Sequence, residues 1–292
     1  MTQGTVPPAV RSFFHRPTNT ITHVVWDPVA RTAAIVDPVL DYEPRSARTT
    51  TTAADAVIAF VEGERLDLAW ILETHAHADH LTAAPYIKSK LGGIIAIGER
   101  IVAVQRTFRR IFNLRRLKVD GSDFDRLLAD GESFRLGDLT VRVMHTPGHT
   151  PACVTYVVGD AAFIGDTLFM PDYGTARTDF PGGNARTLYR SIQRILALPD
   201  TTRLYLCHDY LPASGRTDYS YETTVAAERA NVMAGDAVSE AAFVLERQTR
   251  DRTLVAPALI LPSLQVNIRA GRLPAPEANG IAYLRLPLNM IG

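Results

Sequence analysis

The chain has only two cysteines in 292 residues, Cys153 and Cys207. That is too few for a disulfide framework, so the fold must rest on a buried core rather than on covalent staples. Net charge is missing as well: 31 lysines and arginines stand against 31 aspartates and glutamates. No global field therefore draws the molecule to nucleic acid or to an anionic membrane. No apolar run approaches the roughly 20 residues that span a bilayer. The opening MTQGTVPPAVRSFF also lacks the basic-then-apolar pattern of a signal peptide. Repeats and low-complexity tracts are absent. What remains is a globular chain with reduced thiols, for which a cytoplasmic setting is expected.

Hydrophobic patterning gives a first outline. Residues 21–26 (ITHVVW) and 33–37 (AAIVD) read as strands joined by a turn-like DPVART. Ala54, Val57, Ile58 and Val61 share one helical face, and Thr52 ahead of Asp55 resembles a capping box. The apolar run 68–73 fits a strand covered on both faces, with a helix expected at about 80–91 before Gly92-Gly93. Leu139, Val141 and Val143 alternate with polar residues, as in a half-buried strand. Residues 153–158 and 161–164 form an expected hairpin around Gly159-Asp160. Leu188, Ile192, Ile195 and Leu196 mark another amphipathic helix, and 203–207 (RLYLC) a core strand. Beyond about 212 the chain reads as helical through 220–246, then irregular and proline-rich. The expected organisation is one catalytic domain over 1–210 with a segment, 211–292, packed on it. Alternating strands and helices imply helix-on-sheet layers.

Chemistry concentrates at strand ends. Thr74-His75-Ala76-His77-Ala78-Asp79-His80 follows the run 68–73 directly and packs three of the eight histidines, with an aspartate, into one short loop. A polar loop with chance histidines is the bland alternative, and this spacing argues against it. Imidazole and carboxylate are natural ligands for zinc or iron. His149 follows the strand at 139–143, within Thr146-Pro147-Gly148-His149-Thr150. Asp166 follows 161–164, and His208 follows 203–207. Four strands thus each end in a potential ligand, and ligands of α/β proteins gather at the carboxyl ends of strands.

H-x-H-x-D-H, a distant PGHT histidine, a GD aspartate and a late histidine together resemble the metallo-β-lactamase superfamily, over about residues 20–210. The resemblance implies an α/β four-layer αββα sandwich with the metal site at one edge between two sheets. It also implies a two-metal option: His75, His77 and His149 at one site, Asp79, His80 and His208 at the other, Asp166 bridging. Such a centre hydrolyses thioesters or lactams, as in glyoxalase II and the β-lactamases. ETHAHADHLTAA, HTPGHTPACVTYV and GDTLF…ARTDFPGG are more similar to the persulfide dioxygenase (sulfur dioxygenase) branch. MPDYGTARTDFPGGNARTLYRSI, LCHDY and LILPSLQVNIRAG resemble its bacterial β-lactamase-like hydrolase proteins, found with sulfide-responsive regulators.

That branch implies one Fe(II) per chain, held by His75, His149 and Asp166, with zinc as the alternative metal. Two imidazoles and a carboxylate leave roughly three coordination positions open. The implied reaction takes glutathione persulfide, dioxygen and water to glutathione and sulfite. His77, Asp79, His80 and His208 would then orient ligands or move protons. YGTARTDF stands where GCGRTDF is more usual, so the loop beside the metal is altered. A metal-dependent hydrolase acting on a thioester or lactone is the second reading.

Arg177 matches an arginine near the dioxygenase active site and is expected either to meet a substrate carboxylate or to pair with Asp179. Tyr173 is a candidate pocket residue. Seven basic residues between Arg100 and Lys118 read as a solvated helix face without a nucleic-acid motif. Cys153 and Cys207 are expected as small buried strand residues, with reaction of a thiolate with persulfide as the alternative. His15, His23 and His145 fit no ligand spacing. The expected partners are a low-molecular-weight persulfide and dioxygen, with no nucleic acid and no membrane; a homodimer is compatible with the sequence.

Overall fold

The computed structural model describes residues 6–213 and 215–290. The first half runs β1 (Ala9–His15), β2 (Thr20–Trp26), β3 (Thr32–Val36), β4 (Val39–Glu43), β5 (Arg48–Thr50), α1 (Thr52–Gly63) and β6 (Asp67–Leu72). It continues through β7 (Leu81–Thr82), α2 (Ala84–Leu91), β8 (Ile94–Gly98), α3 (Ile101–Ile111) and β9 (Arg126–Leu128). The second half holds β10 (Ser133–Leu136), β11 (Leu139–His145), β12 (Val154–Val158), β13 (Ala161–Phe163), α4 (Ala185–Leu196) and β14 (Arg203–Tyr205). Last come β15 (Glu222–Thr224), α5 (Val225–Glu228), α6 (Glu240–Asp251) and α7 (Ile260–Asn267).

Two six-stranded sheets result, in the orders β1-β2-β3-β6-β8-β9 and β10-β11-β12-β13-β14-β15. Residue parity decides what each strand face touches. In β3, Ala34 and Val36 join Trp70, Leu72, Phe134, Val141, Val143 and Tyr156 in the core between the sheets. Ala33 and Ile35 point the other way, into a core with Val57 of α1, Ile87 of α2, Phe108 of α3 and Leu264 of α7. A register shift between β3 and β6 takes up one extra residue, so Leu68 faces the helices while Trp70 faces the second sheet. On the far side, Ala162 and Leu204 pack against Leu188, Ile192 and Ile195 of α4 and Phe243 of α6. These four layers are the expected αββα sandwich.

Several local expectations are revised. The helix expected from residue 80 begins at Ala84, because Leu81 and Thr82 first pair with Leu40 and Val39. No capping box forms at Thr52; Thr51 takes the cap position, and its hydroxyl donates to Asp55 rather than accepting from the backbone. The stretch 220–246 is not one helix. It contains strand β15, the single turn of α5, and α6, which is capped by Ser239. The proline-rich tail contributes α7, with Pro262 in its first turn, where a missing N–H is tolerated. Segment 211–292 therefore supplies an edge strand to one sheet and a covering helix to each outer face.

Candidate metal centre

The histidine loop is stitched to both sheets. Glu73 N donates to Ala96 O at 2.9 Å on one side, and Thr74 O accepts from Val154 N at 2.9 Å on the other. Two glycines let the remaining ligands approach. Gly148 has φ +134°, and a Cβ there would lie 2.3 Å from the Leu188 backbone. Gly165 has φ +54°, and a Cβ there would lie 2.7 Å from Thr74 Oγ1. Glycine alone adopts such backbone angles freely in so little space, which explains the PGH and GD pairs.

His75 Nε2 and His149 Nε2 each lie 3.7 Å from Asp166 Oδ2. The donor atoms of these three residues all fall within 4.8 Å of one another. Asp166 Oδ1 faces His208 Nε2 at 3.5 Å, and that nitrogen is 3.2 Å from Asp79 Oδ2. His77, Asp79 and His80 form another close group, and Asp166, Cys207 and His208 a further one. The two-metal division implied by resemblance cuts across these groupings.

Each histidine has one nitrogen tied and the other turned inward. His149 Nδ1 donates to Arg177 O at 2.7 Å, and His208 Nδ1 to Asn19 O at 3.1 Å. His75 Nδ1 bonds Thr74 Oγ1 at 3.0 Å, and that hydroxyl donates to Asp37 at 2.8 Å. His80 Nδ1 sits 3.3 Å from Thr20 Oγ1. His77 is reversed: its Nε2 donates to Asp37 Oδ1 at 3.0 Å and faces Glu73 Oε2 at 3.4 Å, leaving Nδ1 free. As a result His75 Nε2, His77 Nδ1, Asp79 Oδ2, His80 Nε2, Asp166 Oδ1 and His208 Nε2 are all buried without a hydrogen-bond partner. Leaving one such atom unpaired costs about 1–3 kcal/mol. So many in one place fit a cation.

For His75 and His80 the electrostatics agree with that fit. Burial lowers His75 well below the usual imidazole range, with help from the neighbouring His77, His149, His208 and His80. Burial and then His77 bring His80 down to about 4. Both therefore offer the neutral lone pair that a metal requires. For His77 burial also opposes charge, yet Asp37 and Glu73 hold its pKa well above the ordinary value. Burial pushes the Cys153 thiol up to about 12 and Cys207 well above its usual range. Protonated thiols are poor nucleophiles, so both cysteines take the small-buried-residue role.

A cavity of about 550 Å³ opens beside this centre and reaches His149, Asp166 and Asp79. Tyr173 and Arg177, both expected near the substrate, line it. The Arg177 guanidinium is already engaged: two 2.6 Å bonds to Asp179 and one of 2.7 Å to Val255 O. Arg250, also on the cavity wall, has no carboxylate within ion-pair distance among the described residues. Its guanidinium lies 5.1 Å from the centre of the Tyr173 ring and donates to Tyr173 O at 3.3 Å. Tyr210 stacks on His208, ring centres 5.6 Å apart. Of these unanticipated residues, Asp37 and Glu73 carried a sequence signal, each a carboxylate ending a strand like the ligands themselves. Arg106, Arg109 and Arg110 lie on the exposed face of α3, as expected, whereas Arg115, Arg116 and Lys118 are exposed beyond its end.

An αββα sandwich with histidines and carboxylates gathered at the strand ends defines a metal-dependent protein. The chain belongs to the Metallo-beta-lactamase superfamily, which residues 19–208 match. It is 54% identical to "Probable metallo-hydrolase" of Burkholderia pseudomallei, over 97% of this chain and 99% of that one. It is 33% identical to human "Persulfide dioxygenase ETHE1, mitochondrial" over 70% of this chain and 69% of that one. The crystal structure of ETHE1 from Myxococcus xanthus aligns with a TM-score of 0.71 at 29% identity, covering 90% of this chain and 100% of that one. The protein is thus a metal-dependent enzyme of this superfamily with ETHE1-like relatives.

Proposed function

We propose that the chain is a persulfide dioxygenase, taking a thiol persulfide, dioxygen and water to the thiol and sulfite, with glutathione persulfide as the expected substrate. The observation that carries this reading is the His75–His149–Asp166 group opening onto a cavity with an unpaired cation on its wall. The persulfide dioxygenase named among the relatives and the ETHE1 structure support it. His75, His149 and Asp166 would hold one metal ion. Iron(II) in such a setting supplies open coordination positions and electrons that dioxygen can accept.

The chain's own residues do the rest. Arg177 O holds His149 at one tautomer, and Thr74 does the same for His75. Arg250, steadied over Tyr173, is placed to take a substrate carboxylate by a charge-assisted bond. Phe169 and Phe180 supply apolar wall. Asp79, on the cavity wall and 3.2 Å from His208, can accept a hydrogen bond from water or substrate there. A cytoplasmic setting belongs to the same proposal.

A metal-dependent hydrolase is the second reading. The remaining ligands, His77, Asp79, His80 and His208, favour it, as does the hydrolase name of the Burkholderia relative. The test is oxygen uptake by anaerobically purified, iron-loaded protein given fresh glutathione persulfide, with sulfite assayed in parallel. Matched uptake and sulfite are expected. Their absence with verified iron content, together with turnover of a thioester, would replace the dioxygenase by the hydrolase.

A further inference from the structure

The histidine loop is held from an unexpected direction. Asn267, the last residue of α7, lies outside the superfamily match and 3% exposed. Its Nδ2 donates to His77 O at 2.8 Å and to His80 O at 2.7 Å, and its Oδ1 accepts from Thr82 N at 2.9 Å. All three bonds end on the segment between His77 and Thr82. The side chain thus binds the loop at both ends of the His77-Ala78-Asp79-His80 turn.

Asn267 is itself immobilised. Ile268 and Ala270, just beyond it, are fully buried. Gln105 of α3 donates to Ile268 O at 2.9 Å and accepts from Gly121 N at 3.0 Å. The loop beyond α7 turns back at Gly271, where a Cβ would lie 2.6 Å from Pro85. Thr82 extends the chain of contacts, its hydroxyl donating to Glu73 Oε1, while Glu73 Oε2 faces His77 Nε2.

Chemically, two inward-pointing carbonyls and one N–H call for two donors and one acceptor on a planar group. A carboxamide supplies that set and a carboxylate does not. We infer that Asn267 is a positioning residue for the metal centre: through the carbonyls of His77 and His80 it fixes the turn that aims His77, Asp79 and His80 inward, directly after His75. This inference rests on the metal reading of the site and not on persulfide chemistry.

The test is Co(II) binding to the full chain, read as the ligand-field absorption spectrum and as affinity in competition with a chelator. Metal-free and metal-loaded Tm are followed alongside. Asn267→Ser keeps one donor, Asn267→Ala keeps none, and Asn267→Asp sets a carboxylate against the two carbonyls. Affinity should fall in that order, by roughly 10- to 100-fold for Asn267→Ala, with altered Co(II) bands and a smaller metal-induced rise in Tm. A folded variant, Ser included where Ala or Asp does not fold, with unchanged spectrum and affinity would overturn the inference. Failure of the unaltered chain to bind Co(II) would remove the metal reading itself. A loss of oxygen chemistry with metal binding intact would strike only the proposed reaction.

Discussion

Two sets of ligands share this centre, and they are anchored differently. In the His75–His149–Asp166 group, each imidazole is tied by a neutral acceptor, the Thr74 hydroxyl or the Arg177 carbonyl. That group also opens on the cavity through His149 and Asp166. In the other set, His77 is tied by two carboxylates, Asp37 and Glu73, and His77, His80 and His208 are fully buried. His80 and His208 have neutral anchors too, Thr20 and the Asn19 carbonyl, so His77 is the one imidazole of the centre whose anchors bring negative charge of their own. Access marks the first set for substrate chemistry and the buried His77, His80 and His208 for support, with Asp79 between them on the cavity wall.

The largest effect should come from breaking the first set. His149→Ala or Asp166→Ala should remove the bound metal and lower activity by roughly a thousandfold or more, as measured by metal analysis and turnover. Full activity in a metal-free variant would end the assignment. Next, His77→Ala or His208→Ala sharpens the contrast. One metal per chain should remain in each, whereas a binuclear centre would lose occupancy, and metal-to-protein ratios decide between them.

A smaller effect is expected at the cavity wall. Arg250→Ala should raise KM for a carboxylate-bearing persulfide by about 10-fold, near 1.4 kcal/mol, with kcat little changed. Substrates lacking the carboxylate should not respond. Arg250→Lys should recover part of the loss.

The test with the smallest expected effect on turnover, read as stability instead, contrasts Asp37 and Glu73 beside His77 with Glu228, which has no cationic partner among the described residues. Burial raises Glu228 to about 8, although Asn231 bonds it at 2.7 Å. Asn231 also holds Gly174 O, on the loop that carries Tyr173. A raised folded-state pKa means the folded chain binds the extra proton. Its stabilising contribution is present below the unfolded value near 4.5, and is lost as pH rises through about 8. Urea unfolding across that window should show declining stability, by an amount on the order of a few kcal/mol. Glu228→Gln should flatten the decline.

Much of the fold was legible because residue period reports burial directly: the alternation at 139–143 and the run at 68–73 became β11 and β6. The gathering of potential ligands was legible for a similar reason, since strands of one sheet end at one edge. The orientation of His77 was not, because Asp37 reaches it from 40 residues away in the chain. Asn267 and Arg250 carry no local signal either. An asparagine in NIRAG and an arginine in a charged helix acquire meaning only when α7 and α6 dock. Helix α7 itself was obscured by Pro262 and by the absence of a solvent-exposed face, since even Ser263, Gln265 and Asn267 are buried.

The carbonyls of Arg177 and Asn19 that orient His149 and His208 belong to the main chain. An alanine scan passes over them, because truncating either side chain leaves the acceptor oxygen in place. The two acceptor atoms are thereby sheltered from single-codon change, and side chains 19 and 177 matter to them only through the loop path, which Asn19 suits by its φ of 54° and Arg177 by its bonds to Asp179. Robustness of this kind is written in the course of the backbone, and it is lost by insertions and deletions rather than by substitutions.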